Sequence, residues 1–301
     1  MLEAFGNART LRNDSSSRFG KFIKIQFTKN GRIAGATVEK YLLEKTRLTH
    51  QTPGERNYHI FYQLLRGASP ALLEELHLSA CVESYAYLQL SAASSSIPNV
   101  SDKEQFAVTC ECMHSVGMDT ALQGDIFRLL SSILHLGDVR FDRDETDDLV
   151  SGASAATYEH LRVAAELLGV GAEELLACMA QQNMYVGGST IIKVQSLSQA
   201  VDKRNSFAKT VYSMLFSWLI EKVNSTIAPT QVELRGYKEE GGVVTVRLRY
   251  TGSRTPPGSR KTMTRAWMTS CSYGTSRRCP SYTPCACATT EMSSTHLWGS
   301  S

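Results

Sequence analysis

Phe22-Ile23-Lys24-Ile25-Gln26-Phe27 alternates apolar and polar side chains, the period of a strand with one buried face. Asn30-Gly31 follows as a two-residue turn signal, and Arg32 to Val38 can return as the partner strand, so the pattern predicts a β-hairpin. Tyr41-Leu42-Leu43 prolongs the apolar run. The period then lengthens. Thr52-Pro53-Gly54-Glu55 offers a Thr cap, a Pro for the first turn and a Glu three residues on. A helix is predicted from there, with Tyr58, Phe61, Tyr62 and Leu65 on one face and Gly67 at its end. Leu122, Ile126, Leu129, Leu130, Ile133 and Leu134 predict a second helix closed by Gly137, and Leu161, Ala164, Ala165 and Leu168 a third before Gly169. Phe207, Val211, Leu215, Trp218, Leu219 and Val223 mark a fourth, long and amphipathic. The expected fold is mostly helical with one hairpin near the start.

Residues 91–96 are Ser-rich and residues 142–148 acidic, both patterns of surface loops. Past Pro229 the periodicity fades, apart from Val243-Val244-Thr245-Val246, and Gly, Ser, Thr, Pro and Arg dominate. That composition buries little and predicts disorder. Charge divides the chain at the same place. Residues 231–301 hold ten Lys/Arg against four Asp/Glu, a net +6, although the 301-residue whole carries only +3. Two domains are therefore expected, 1–230 and a basic tail 231–301.

Four cysteines, Cys271, Cys279, Cys285 and Cys287, crowd the tail, but their spacing gives no pair of CxxC knuckles, so structural zinc is not expected. The start lacks the basic and apolar regions of a secretory signal, and no apolar run is long enough for a membrane span. A cytoplasmic setting is the expectation.

Candidate chemistry sits just before the hairpin. Asn13-Asp14-Ser15-Ser16-Ser17-Arg18-Phe19-Gly20-Lys21 sets short hydroxyl and amide side chains in a row. A hydroxyl is a good hard-oxygen ligand for Mg2+, and amides in such a row can approach phosphate oxygens. Arg18 adds a permanent charge able to hold a carboxylate through two hydrogen bonds. Asn-x-x-Ser-Ser-Arg alone would equally describe a Ser-rich loop before a hairpin.

The flanks are more specific. Glu3-Ala4-Phe5-Gly6-Asn7-Ala8-Arg9-Thr10, Arg12-Asn13 and Ser16-Ser17-Arg18-Phe19-Gly20-Lys21 together resemble the switch I region of the myosin motor domain. The resemblance continues through Tyr41-Leu42-Leu43-Glu44-Lys45, Glu55-Arg56-Asn57-Tyr58-His59-Ile60-Phe61-Tyr62-Gln63-Leu64-Leu65, Ile133-Leu134-His135-Leu136-Gly137 and Phe207-Ala208-Lys209-Thr210-Val211-Tyr212. It implies part of an α/β, P-loop NTPase-type motor: switch I plus the upper actin-binding subdomain. Asn7, Asn13, Ser16 and Ser17 then match positions near the triphosphate of ATP, with Ser17 as the Mg2+ ligand. Ser16 matches the residue that places the attacking water, and Arg18 the Arg that pairs with a Glu of switch II. Ser15 and Arg9 depart from the family, which usually has Asn and Lys there. Residues 185–200 resemble an actin-facing loop, in which Ser189, sixteen residues before Asn205, matches a position that is acidic or phosphorylatable; phosphate there would add nearly two negative charges. F-actin is the implied partner and the cytoskeleton the implied location. Light chains would bind regions that these residues do not contain, and nucleic acid is not an expected partner.

Two further motifs are missing from the 301 residues: a GxxxxGK[ST] phosphate loop, which in the family precedes switch I, and the Asp-x-x-Gly-Phe-Glu of switch II, due soon after Ile227. Phosphoryl transfer depends on all these parts together, so the chain alone is expected to hydrolyse ATP negligibly. The tail reads either as a shifted or read-through frame or as a genuine divergent appendage with a polyanion-binding charge.

Overall fold

The computed structural model describes residues 1–27, 31–89, 96–144, 149–186, 189–228 and 244–249. Asn30 of the expected turn, most of the Ser-rich stretch, residues 145–148 of the acidic loop and the rest of the tail lie outside them.

A short helix, α1 (Leu2–Gly6), leads into strands β1 (Asn7–Thr10) and β2 (Asn13–Ser17), which pair antiparallel. The predicted hairpin follows as β3 (Gly20–Phe27) and β4 (Ile33–Tyr41), also antiparallel. A 3-10 turn over Lys45–Leu48 then precedes α2 (His59–Gly67). Helices α3 (Pro70–Glu75), α4 (Ala86–Gln89), α5 (Asp102–Ser115) and α6 (Thr120–Asp138) come next. After a small hairpin, β5 (Phe141–Arg143) and β6 (Val150–Ala153), come α7 (Tyr158–Leu168), closed by Gly169 as expected, and α8 (Ala172–Ala180). Another hairpin, β7 (Gln181–Val186) and β8 (Ser189–Val194), leads into α9 (Leu197–Ile227). One element lies beyond residue 230, where none was expected: β9 (Val244–Arg249) pairs antiparallel with β3, giving a three-stranded sheet in the order β4-β3-β9.

Two expectations change. The helix predicted from Thr52 starts seven residues later, at His59, with Tyr58 as its cap. Residues 52–55 instead form a tight turn, with Glu55 N–H donating to Thr52 O and Gly54 at φ +87°. The next two residues are committed elsewhere: Arg56 to a buried ion pair and Asn57 to the carbonyls of Leu48 and Tyr87. Gly137, expected to end α6, lies inside it. A Cβ on Gly137 would come within 2.9 Å of the Tyr87 ring, so the residue serves close packing rather than termination.

The core is helical. All seven residues from His59 to Leu65 on α2 are buried, the signature of a central helix. It packs against α5, and Phe61 stacks on Tyr212 of α9 with ring centroids 5.6 Å apart. Helix α6 is sandwiched by α7 and α9. Polar order within this core is specific: Arg56, fully buried, donates Nη2 to both carboxylate oxygens of Asp102 (2.9 and 3.0 Å) and lays its guanidinium 3.8 Å from the centroid of the Tyr62 ring. Two side chains of α9 tie it to its surroundings. Tyr212 Oη donates to Phe5 O at 2.7 Å, and Asn224 bonds both the N–H (2.7 Å) and the C=O (2.8 Å) of Val38.

Candidate functional site

Residues 7–18 are held in place from three sides. Strand β1 pairs with β2 in the register Asn7 to Ser17 and Ala8 to Ser16, and Ala8 also bridges Tyr58 at the start of α2. Phe19 packs edge-on against Phe216 of α9 with centroids 4.9 Å apart. Arg18 N–H donates to Gly6 O (2.8 Å), and Glu44 N–H donates to Arg18 O (2.9 Å). The row of hydroxyls is thus a strand edge fixed on a rigid frame.

Within it, five of the predicted residues come together. Asn7, only 3% exposed, donates Nδ2 to Ser15 Oγ at 3.2 Å, while its Oδ1 is buried without a partner among the described residues. Asn13 folds back so that its Oδ1 accepts from Ser15 N–H at 2.9 Å. Ser15, read as a departure, is therefore the point where both asparagines meet. Ser16 Oγ accepts from Arg18 Nη2 at 2.7 Å, which leaves its own proton free to be donated. Ser17 is exposed, and its hydroxyl makes no hydrogen bond among the described residues.

Arg18 does have a carboxylate partner, one that the sequence reading missed: its Nη1 meets Glu44 Oε2 at 3.2 Å. Glu44 in turn receives Arg47 Nε (3.0 Å) and Nη2 (3.4 Å), and Arg47 continues to Glu55 (2.8 Å) and Arg56 O (3.1 Å). Burial opposes charge on Arg47, but Glu44 and Glu55 outweigh it and the guanidinium pKa is raised. Tyr58 Oη donates to Glu44 O at 2.7 Å, and with burial first and Glu44 next, its phenol is held far above the ordinary range. The signal for Glu44 was present in Leu43-Glu44-Lys45 just past the hairpin, but only the turn out of β4 shows where the carboxylate lands.

Ser189 is not part of this group. It opens β8 in a separate two-stranded sheet, paired with Val186. Among the described residues no cluster of three His, Cys, Asp or Glu could hold a metal ion, so a divalent cation here would rely on hydroxyl and ligand oxygens. The free Ser17 hydroxyl and the orphaned Asn7 Oδ1 fit such a ligand: one offers a hard donor at the rim, the other an unpaired buried acceptor. No helix among the described residues is long and apolar enough to cross a membrane.

The family described as myosin head (motor domain) matches residues 1–238. Myosin-3 of Arabidopsis thaliana is 43% identical over 228 residues, covering 76% of this chain and 19% of that protein. The myosin-I heavy chain of Dictyostelium discoideum is 41% identical over 231 residues, 77% of this chain and 10% of its own length. Human unconventional myosin-XV is 42% identical over 231 residues, 77% of this chain and 6% of its own length. The chain spans less than a fifth of each of these relatives.

Proposed function

Because the chain belongs to the myosin head (motor domain) family, we propose that it is the switch-bearing part of an ATP-dependent actin motor, one that does not turn over ATP by itself. Residues 7–18 would face Mg2+·ATP as switch I of a P-loop NTPase-type fold, and hairpin β7–β8, with Ser189, would face actin. The observation that carries the reading is the pairing of a free hydroxyl on Ser17 with a Ser16–Arg18–Glu44 chain immediately beside it.

In this reading Ser17 would hold Mg2+, and Asn7 and Asn13 would lie near the phosphates. Bound Mg2+ would supply neutralisation of charge on the phosphate oxygens. Ser16, with one of its two lone pairs taken by Arg18, keeps its O–H for a hydrogen bond toward the phosphate side and a second lone pair for a hydrogen bond from an attacking water. Arg18 provides the fixed charge that shuts the site from behind, and a switch of this kind converts the loss of one phosphate into a rearrangement. No GxxxxGK[ST] or Asp-x-x-Gly-Phe-Glu stands in the 301 residues, which is why turnover is not assigned to this chain alone.

A fluorescent ATP analogue and F-actin co-sedimentation test the reading. Weak, Mg2+-dependent nucleotide binding that is lost in Ser17→Ala, together with salt-sensitive actin pelleting, is the expected result. ATP turnover near that of an intact motor overturns the claim of inactivity. The missing phosphate loop favours a second reading, a non-catalytic actin-binding or regulatory module; actin pelleting with no nucleotide binding at any Mg2+ concentration would select it.

A further inference from the structure

The side chains of Arg18 and Glu44 differ in how they are held. Glu44 has anchors besides Arg18. Both of its carboxylate oxygens bond Arg47, whose side chain is 5% exposed and is itself fixed by Glu55, and its backbone carbonyl is bonded by Tyr58. The turn that delivers it is costly as well. Leu42 adopts φ +47°, in the left-handed region a leucine resists, and is 94% exposed, so no burial of its own side chain repays the conformation. What the turn achieves is to carry the chain out of β4 so that Glu44 N–H reaches Arg18 O and Glu44 Oε2 reaches Arg18 Nη1. Arg18 is less secured. Its side chain is 27% exposed, and its remaining bonds go to Ser16 Oγ and, at 3.3 Å, to Ser17 O, both in the adjoining end of β2.

We propose that Glu44 is a positioning residue for the switch: a fixed resident carboxylate that parks Arg18 against Ser16 and that any other carboxylate claiming Arg18 must displace. The inference rests on the switch reading above but names a second resting place for Arg18 inside the chain. Parked, Arg18 keeps one of the two lone pairs of Ser16 Oγ occupied. Released, Arg18 frees that lone pair, so the same movement raises the open acceptor positions on Ser16 Oγ from one to two. Glu44 thereby couples the charge behind the site to the proton-carrying group in front of it.

Hydrogen exchange on the full chain without nucleotide tests the latch independently of nucleotide binding. Glu44→Gln is expected to raise exchange of the amides of residues 14–19 about two- to fivefold, the range for a partly exposed ion pair. Residues 59–67 of α2 should be unaffected. Arg18→Met should raise exchange by a similar factor, and the double variant by no more than either single one. Glu55→Gln, which removes a partner of Arg47 without touching Arg18, should leave residues 14–19 as they are. Unchanged exchange at 14–19 in Glu44→Gln, additive effects in the double variant, or equal loss of protection on α2 would each overturn the proposal. Repeating the measurement with Mg2+·ATP separates the two ideas: no protection of residues 14–19 in the unaltered chain counts against nucleotide binding and leaves the latch result standing.

Discussion

His135 and His160 show how much a single proton decides in this molecule. Their Nδ1 atoms lie 2.9 Å apart, and His135 Nε2 faces His77 O at 3.1 Å, so His135 must carry its proton on Nε2 and accept at Nδ1 from His160. Burial first, and His160 next, lowers the His135 pKa to about 4; burial first, and Arg56 next, lowers that of His59 to about 4. Both are depressed below the unfolded value of 6.5, so the neutral forms belong to the fold. Stability is full above pH 6.5 and falls as pH drops from there through about 4. Each histidine should cost about 2 kcal/mol between pH 7.5 and 5, so the melting temperature should fall by roughly 10 °C in all. His135→Gln should remove about half of that pH dependence; a melting profile as steep as that of the unaltered chain would contradict the assignment. Asp102 is a second decisive residue, because it neutralises the fully buried Arg56 and also takes Arg66 Nη1 at 2.7 Å. Asp102→Asn strands the Arg56 charge and should destabilise by about 3–5 kcal/mol in urea denaturation. These roles were hidden in the sequence. Residues 56–59 announced the family and the Tyr58 face, whereas a buried Arg needs a carboxylate forty-six positions away, a distance no local pattern encodes.

Among the elements, those with their own signals were legible and those set by distant partners were not. Hairpin β3–β4 followed from alternation and a turn pair, and α7 from its apolar stripe and Gly169. The start of α2 failed because Thr52 and Pro53 imitate a cap while tertiary demands on the side chains of Arg56 and Asn57 keep these residues out of the helix. Helix α5 went unread since its faces are weakly contrasted: Phe106 and Met113 are buried, but Val108 is 48% exposed. Helix α9 was recognised only from Phe207 on, and the structure extends it back to a capping box, where Ser196 Oγ accepts from Gln199 N–H and Gln199 Oε1 accepts from Ser196 N–H. Ser196→Ala should cost about 1 kcal/mol, read as a lowered melting temperature with unchanged helix content elsewhere. Gly137→Ala on α6 should cost more, about 1–3 kcal/mol, because the methyl group must push against the Tyr87 ring. A melting temperature equal to that of the unaltered chain would show that the ring gives way freely.

For the molecule as a whole, the candidate site was readable as a string of residues but not as an arrangement. Asn7, Asn13, Ser16, Ser17 and Arg18 were all named by the family resemblance, and the structure gathers the first four on one strand pair with Arg18 just past its end. That Asn7 grips Ser15, and Arg18 grips Glu44, follows from register and from the turn at Leu42, which the pattern does not carry. The edge of β4 shows the same division. Asn224 of α9 satisfies both backbone groups of Val38 there, imitating the bonds of a neighbouring strand from 186 positions away. Asn224→Ala should weaken the join between sheet and helix by about 1–3 kcal/mol and raise exchange at the Val38 amide selectively. Helix α9 has a consequence of its own. At 31 residues it runs about 46 Å without a break, starting just after the hairpin that holds Ser189, gripping Phe5 beside residues 7–18 at its middle, and ending on the sheet at Val38. A stiff rod with three attachments cannot be pushed at one without transmitting the displacement to the others. Helix α9 therefore ties hairpin β7–β8, the backbone at Phe5 and the sheet at Val38 to one stiff element, like three fixtures on a single beam.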